Sequence, residues 1–522
     1  MNDLALRSEA GSTGRFRPRR ARLAVLWSRA QLGVEAPPVT IEVFLSGGLP
    51  AFSIVGLPET AVRESKDRVR GAILSSDFDF PDGRITVSLG PADMRKAGGR
   101  FDLAIALGIL AAAHQIPQDE FGSHEFYGEL GLNGELRAIP GALPAALKAA
   151  DAGNGIFMPG DNGAEAALST ACVFVANSLL EVTAHLTGQR KLAPLLNGPP
   201  PIAAVRAPNL AEVRGQALAK RALEIAAAGE HNLLFVGPPG TGKSMLARRL
   251  PGILPPMSEG EALETAAIDS IIGRRFDLTH WRQRPFRSPH HTASAAALVG
   301  GGSDPRPGEI SRAHNGVLFL DELPEFSRHV LEVLREPMET GWITISRAGR
   351  QADFPARFQL VAAMNPCPCG YQGDARGDCR CSAERVVNYR GKVSGPLLDR
   401  IDIQLPVRRL AKEALRPNGG VLEGSATVLE RVSAARQRQQ TRAGTCNARL
   451  EGNLLEDTCA LTREGWTLLE RAMDRFALSA RAHQRIRRVA RTIADLAGDD
   501  IIAAAHVGEA LSLRLLTNNV RY

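Results

Sequence analysis

The stretch GPPGTGKS, Gly237 to Ser244, follows the apolar run Asn232–Val236 and precedes the helix-prone segment MLARRL. Gly237, the four residues Pro238, Pro239, Gly240 and Thr241, and then Gly242, Lys243 and Ser244 fit the phosphate-loop pattern. In that pattern backbone N–H groups wrap phosphates, the lysine meets the outer phosphates and the hydroxyl ligates Mg²⁺. A plain Gly/Pro turn needs neither Lys-Ser after its last glycine nor a strand before its first. The motif therefore sets the fold class as α/β, with a parallel sheet behind a nucleotide site.

Further on, GVLFLDE (Gly316–Glu322) is an apolar strand ending in two carboxylates. Asp321 would hold Mg²⁺ through water and Glu322 would polarise the attacking water. An acidic pair at a strand end is by itself usually a solvated cap; its meaning comes from the phosphate loop upstream. The strand RFQLVAAMN ends in Asn365, placed to sense the outer phosphate or orient the water, although asparagine is also common in turns. SGPLLDRIDIQ sets Arg400 after a short helix and before another strand. Its planar, permanently charged fork suits spread phosphate charge; the plainer alternative is an ordinary helix-end ion pair. Together these segments read as ATP hydrolysis.

The chain of 522 residues is too long for one core and suggests about three domains. Its 63 basic against 56 acidic residues leave only +7, so a polyanionic partner must be met by local charge. No apolar run of roughly 18 residues and no secretory pattern is present, and the sequence reads as cytoplasmic, with no membrane partner. Of seven cysteines, Cys367, Cys369, Cys379 and Cys381 cluster in CPCGYQGDARGDCRC, which points to metal and not to a disulfide scaffold. Two C-x-C pairs can supply four thiolates to a tetrahedral Zn²⁺, although one intervening residue is shorter than the usual spacing. The alternative is four reduced surface thiols.

Residues 1–22 form a basic, aperiodic tail expected to be disordered. From 23 to 188, strands (VTIEVFL, FSIVGL, RITVSLG) alternate with alanine-rich helices (FDLAIALGILAAA, ALPAALKAAD). The layout PADMRKAGGRFDLAIALGIL followed by YGELGLNGELRAIPGALPAALKAA resembles the proteolytic domain of Lon-type proteases. That family uses a Ser and a Lys; here Phe101 and Pro144 stand in their places, and neither can perform the chemistry. The expectation is a Lon-protease-like α/β domain without activity.

A proline-rich linker spans 189–207, the ATPase core with its Cys-rich insertion 208–406, and a C-terminal helical lid 407–522. Asn209 is placed to cap the helix through LAEVRGQALAKRALEIAAAG. His290 and His291 belong to an inserted loop at the mouth of the motor in preference to a metal site. WITIS and FQLVAAM are expected to flank a turn carrying Arg347 and Arg350, which is either a solvated tip or a channel-lining contact to phosphates. In the third helix of the tail Arg481, Arg485 and Arg488 share one stripe, Arg487 and Arg491 another.

GPPGTGKS, GVLFLDEL, AAMNPCPCG, SGPLLDRIDI and LSARAHQRIRRVARTIADL, in that order and behind a Lon-like domain, resemble the magnesium-chelatase-like AAA+ family in its ComM/YifB branch. The resemblance runs from about Leu23 to the C-terminus. It implies a homo-hexameric ring with ATP between subunits, Asn365 as sensor 1, Arg400 as an arginine finger and Arg481 as sensor 2. It also implies a DNA motor acting on single-stranded and branched DNA, by branch migration in homologous recombination during natural transformation. A magnesium-chelatase-type motor and an ATP-dependent protein-remodelling factor are the alternatives. ATP and Mg²⁺ are the expected cofactors, with structural Zn²⁺ on the cysteines.

Overall fold

The computed structural model describes residues 22–196, 198, 207–273, 277–302, 305–347, 350–374, 377–410 and 423–514. The tail expected over 1–22 lies, but for its last residue, outside the described residues. The chain divides into two units: Met1–Gln31, Ala36–Ile139 and Ala145–Asn197 form the first, and Leu32–Glu35, Pro140–Pro144 and Gly198–Tyr522 the second.

In the first unit seven strands make one mixed sheet: β1 (Leu23–Arg29), β2 (Pro38–Ser46), β3 (Ala51–Val55), β4 (Arg84–Gly90), β5 (His124–Phe126), β6 (Gly155–Pro159) and β7 (Val173–Ala176), in the order β3-β4-β2-β1-β5-β6-β7. β2 is antiparallel to β1 and β4, and the outer pairs are parallel. Along β2 the residues Val39, Ile41, Val43 and Leu45 alternate inward, the two-residue period of a sheet with one packed face. Against that face lies helix α1 (Asp102–Ala112), buried along its whole length because it is apolar on every side. Phe101 directly before it is fully buried; Pro144, in helix α2 (Ala142–Asp151) and in the short segment that groups with the second unit, is buried as well. Both positions hold packing side chains.

The second unit is built on a five-stranded parallel sheet: β8 (Leu233–Val236), β9 (Phe286–Arg287), β10 (Gly316–Leu320), β11 (Phe358–Met364) and β12 (Ile403–Pro406), in the order β9-β10-β11-β8-β12. Both faces are covered, so its strands read as continuous apolar runs. Phe235, Phe319, Val361 and Ile403 face one core, shared with helix α3 (Ala217–Gly229) and with α4 (Ser425–Ala443), α5 (Arg463–Phe476), α6 (Ala480–Ala497) and α7 (Ala504–Ser512). Leu234, Leu318, Leu320 and Leu360 face the other. The C-terminal helices thus share a core with the sheet.

Two local expectations change. Asn209 caps a single turn, Leu210–Glu212, and α3 begins only at Ala217, because Gly215 and Gln216 take left-handed conformations that interrupt the helix. The partner of Trp342–Arg347 is Arg350–Pro355, not FQLVAAM, which joins the main sheet as β11. Ala352 and Phe354 supply that hairpin strand with its buried face. Among the described residues no helix is long and apolar enough to cross a membrane.

Candidate nucleotide site

β8 is buried, and the loop after it turns sharply because Gly237 lies against the Val407 carbonyl, where a Cβ would stand 2.2 Å away. The loop then delivers Lys243 and Ser244 to the start of a short helix, Lys243–Ala247. Lys243 Nζ donates to the carbonyls of Gly237 (2.7 Å) and Pro238 (2.9 Å) and to Asn365 Oδ1 (3.1 Å). Burial lowers its pKa, with Asp321 and Glu322 opposing the shift. Ser244 Oγ donates to Asp321 Oδ2 at 2.5 Å.

The sheet order explains this convergence. β11 lies between β8 and β10, so the C-terminal ends of three neighbouring parallel strands present Lys243, Asn365 and Asp321 side by side. Ligands bind at that edge in open α/β sheets. The hydroxyl and carboxylate of Ser244 and Asp321 are hard oxygen donors within hydrogen-bond distance of each other, a donor set that fits Mg²⁺. Glu322 adopts a left-handed backbone, φ 53° and ψ 48°, at the mouth of the site. Its Oε2 stands 3.2 Å from His291 Nδ1, on the loop that the sequence reading placed at the mouth of the motor. A cavity of 950 Å³ opens beside Gly237 and Pro238 and extends to Leu398, Leu478 and Ala482.

Arg400 and Arg481 are elsewhere. Both line a 780 Å³ cavity with Asn232, Gly316 and Phe358, which stand at the N-terminal ends of β8, β10 and β11. This is the opposite edge of the sheet from Lys243. The four residues of β8 alone separate the edges by about 13 Å. Eight arginines against four carboxylates line the cavity. Arg400 pairs with Glu339 and donates to the Pro396 carbonyl at 2.8 Å. Arg481 is exposed and makes no hydrogen bond or ion pair with the described residues. On the other stripe Arg487 pairs with Glu456 at 2.7 Å, and Arg491 is buried against Asp495 at 3.1 Å, so those two are structural. Arg347 and Arg350 end the hairpin strands as a register pair; their side chains lie outside the described residues.

The four cysteines meet. The sulfurs of Cys367, Cys369, Cys379 and Cys381 all lie within 4.8 Å of one another, with Cys367 buried. Cys367–Cys369 is 3.4 Å, and Cys367–Cys379 and Cys369–Cys379 are 3.7 Å. A tetrahedron with Zn–S bonds of about 2.3 Å has sulfur edges of about 3.8 Å, so the arrangement is compatible with structural zinc.

Three family models cover the second unit and part of the first: magnesium chelatase, subunit ChlI, over residues 209–415; subunit ChlI of Mg-chelatase over 41–162; and the ChlI C-terminal model over 422–514. The competence protein ComM of Haemophilus influenzae is 49% identical over 500 residues, covering 95% of this chain and 98% of its own. The chain belongs to the ComM/YifB branch of the magnesium-chelatase-like family. The uncharacterized protein YifB of Salmonella typhimurium is 49% identical and that of Escherichia coli 48%, each over 95% of this chain and 97% of its own length. A magnesium-chelatase subunit ChlI from Euglena gracilis is 25% identical over 35% of the chain. Membership in this family brings with it an ATPase-type core and a competence-protein relative.

Proposed function

We propose that this chain is a ComM-type, ATP-driven DNA motor that works as a hexameric ring. The observation that carries the reading is the separation of two half-sites. Lys243, Ser244, Asp321 and Asn365 converge at one edge of the parallel sheet, while Arg400 and Arg481 line a basic cavity at the other. Arginines that far from their own phosphate loop serve a nucleotide bound to a neighbouring subunit, and a head-to-tail contact of this kind closes into a ring.

In this reading the phosphate-loop N–H groups and Lys243 hold ATP, Asn365 and Glu322 orient the attacking water, and Ser244 with Asp321 holds Mg²⁺. Bound Mg²⁺ supplies charge neutralisation on the phosphates. Arg400 and Arg481 of the next subunit meet the charge that spreads over the transferring phosphoryl group. The hairpin Trp342–Pro355 carries Arg347 and Arg350, which a ring would repeat around its channel to grip DNA phosphates. Zinc on the four cysteines acts as a structural ion. The Lon-protease-like domain, with Phe101 and Pro144 in place of the catalytic pair, would serve as a scaffold.

The names of the matched family models favour a second reading, a magnesium-chelatase-type motor. One experiment separates the two: ATPase rate with and without single-stranded and branched DNA, followed by displacement of a labelled strand from a four-way junction. DNA-stimulated turnover with strand displacement supports the DNA motor. Turnover that ignores both DNA forms overturns it.

A further inference from the structure

The cysteine cluster is wired into the nucleotide site from two directions. Upstream, Asn365 and Cys367 are separated only by Pro366, and the Pro366 carbonyl accepts from Arg390 Nε at 2.9 Å. Downstream, Cys381 runs through Ser382, whose side chain caps the helix Ala383–Gly391, and that helix carries Tyr389 and Arg390. Tyr389 is buried on that helix. Through Arg390 both arms of the cysteine loop therefore meet at Pro366, next to the residue that Lys243 holds. Arg390 also donates to Gln372 Oε1 at 2.9 Å, joining the helix to the middle of the loop.

A third strut reaches the phosphate loop. Gly370, at φ +86°, lies so close to Pro239 that a Cβ would stand 2.6 Å from its Cδ and 3.8 Å from Asn365 Cγ. Asp374, further along, pairs with Arg409 at 3.0 Å, on the segment that follows β12. Apart from these struts the segment between Cys369 and Cys379 is irregular, with no helix or strand of its own among the described residues. A loop with little packing of its own keeps one conformation only if it is cross-linked, and four thiolates at tetrahedral spacing are that cross-link.

We infer that the four cysteines hold one Zn²⁺ per chain, and that the metal-closed loop is a positioning device that fixes Asn365 and the crown of the phosphate loop for hydrolysis. This rests on the reading of the site as an ATPase. Cys367, Cys369, Cys379 and Cys381 touch no reacting atom; they act through Asn365 and Pro239. Loss of the metal therefore leaves the strand, Lys243 and most of the nucleotide's binding surface in place, and it releases Asn365, one of the two side chains that orient the water. The expected signature is a fall in kcat with little change in nucleotide affinity. A misplacement of about 1 Å costs up to about a hundredfold in rate.

The test uses the full chain under reducing conditions. Zinc is counted by atomic absorption, stripped with a chelator, and the protein exchanged into Mg²⁺ buffer; untreated protein passes through the same exchange. ATP turnover, binding of a fluorescent ATP analogue and thermal melting are then measured before stripping, after stripping and after Zn²⁺ is returned. One zinc per chain is expected, with kcat falling about tenfold to a hundredfold on stripping, analogue affinity held within about threefold, and turnover restored by Zn²⁺. Gly370→Ala provides a variant that leaves every thiolate in place, and it should retain zinc while losing turnover. Less than about half an equivalent of zinc overturns the metal assignment. Zinc present with turnover unchanged by its removal overturns the positioning role and leaves the ATPase reading standing. Zinc-loaded protein with no turnover under any condition overturns both.

Discussion

Lys243 has acceptors on three sides, two from its own loop and one from Asn365, and burial pushes its ammonium toward neutrality while Asp321 and Glu322 hold it charged. A phosphate that replaces those acceptors gains a charge-assisted bond at a nearly desolvated site. Lys243→Ala should weaken ATP binding about tenfold to a hundredfold and abolish turnover. Unchanged affinity in a nucleotide titration would remove the lysine from the site. Glu322 differs in kind, because it is half exposed and tethered only through a left-handed backbone and His291. Glu322→Gln should bind ATP normally and lose at least about a hundredfold in turnover. His291→Ala should lower kcat and leave KM alone, since it frees the carboxylate without removing a ligand contact. A rise in KM at constant kcat would instead make His291 a substrate contact. The lysine and both acids stand out in the sequence because each belongs to a motif of consecutive residues. His291 was read only as part of a loop at the mouth of the motor: its contact with Glu322 depends on where β9 delivers that loop, and no local spacing encodes it.

At the scale of elements, the apolar strands and long tail helices were readable from their periods, whereas strand order was not. Nothing near Phe358–Met364 announces that it inserts between β8 and β10, and the hairpin partner Arg350–Pro355 was obscured by having only Ala352 and Phe354 to mark its inner face. The attachment of the C-terminal helices was equally hidden, and it is partly ionic. Glu230 at the end of α3 pairs with Arg436 (3.2 Å) and Arg449 (2.7 Å), and Asp402 before β12 pairs with Arg485 (3.3 Å). Burial alone would raise both carboxyls. Arg449 and Arg436 overcome it at Glu230, and His231 and Arg485 at Asp402, holding each at about 2. Because the folded values are depressed, the stability they contribute is complete above the ordinary carboxylate range and is lost as pH falls through about 2. Melting followed between about pH 5 and pH 2 should show the C-terminal helices loosening first by hydrogen exchange. Arg485→Ala should lower the melting temperature at neutral pH and flatten the acid slope. An unaltered slope would mean that these pairs do not fasten the helices.

For the whole molecule, the geometry behind the proposed ring is that one chain places its phosphate loop and the two arginines Arg400 and Arg481 at opposite edges of one sheet. In that proposal a lone subunit would have the phosphate loop without the arginines. The consequence is a complementation experiment. Lys243→Ala subunits lack a working loop but keep Arg400 and Arg481, and Arg400→Ala subunits keep the loop but lack the arginine. In a mixed ring some interfaces pair an intact loop with an intact arginine, so two preparations that are each inactive should recover part of the wild-type turnover when combined. An arginine finger supplies about 10³- to 10⁵-fold in rate, so even a minority of repaired interfaces stands far above either parent. Arg481→Ala should complement Lys243→Ala in the same way if it acts across the boundary, and should fail to do so if it serves its own nucleotide. Recovery ought to depend on protein concentration and to vanish under conditions where sedimentation shows only monomers. Absence of recovery at every mixing ratio, in material that sediments as an assembled ring, would place both arginines back within their own subunit and remove the physical reason for requiring a neighbour.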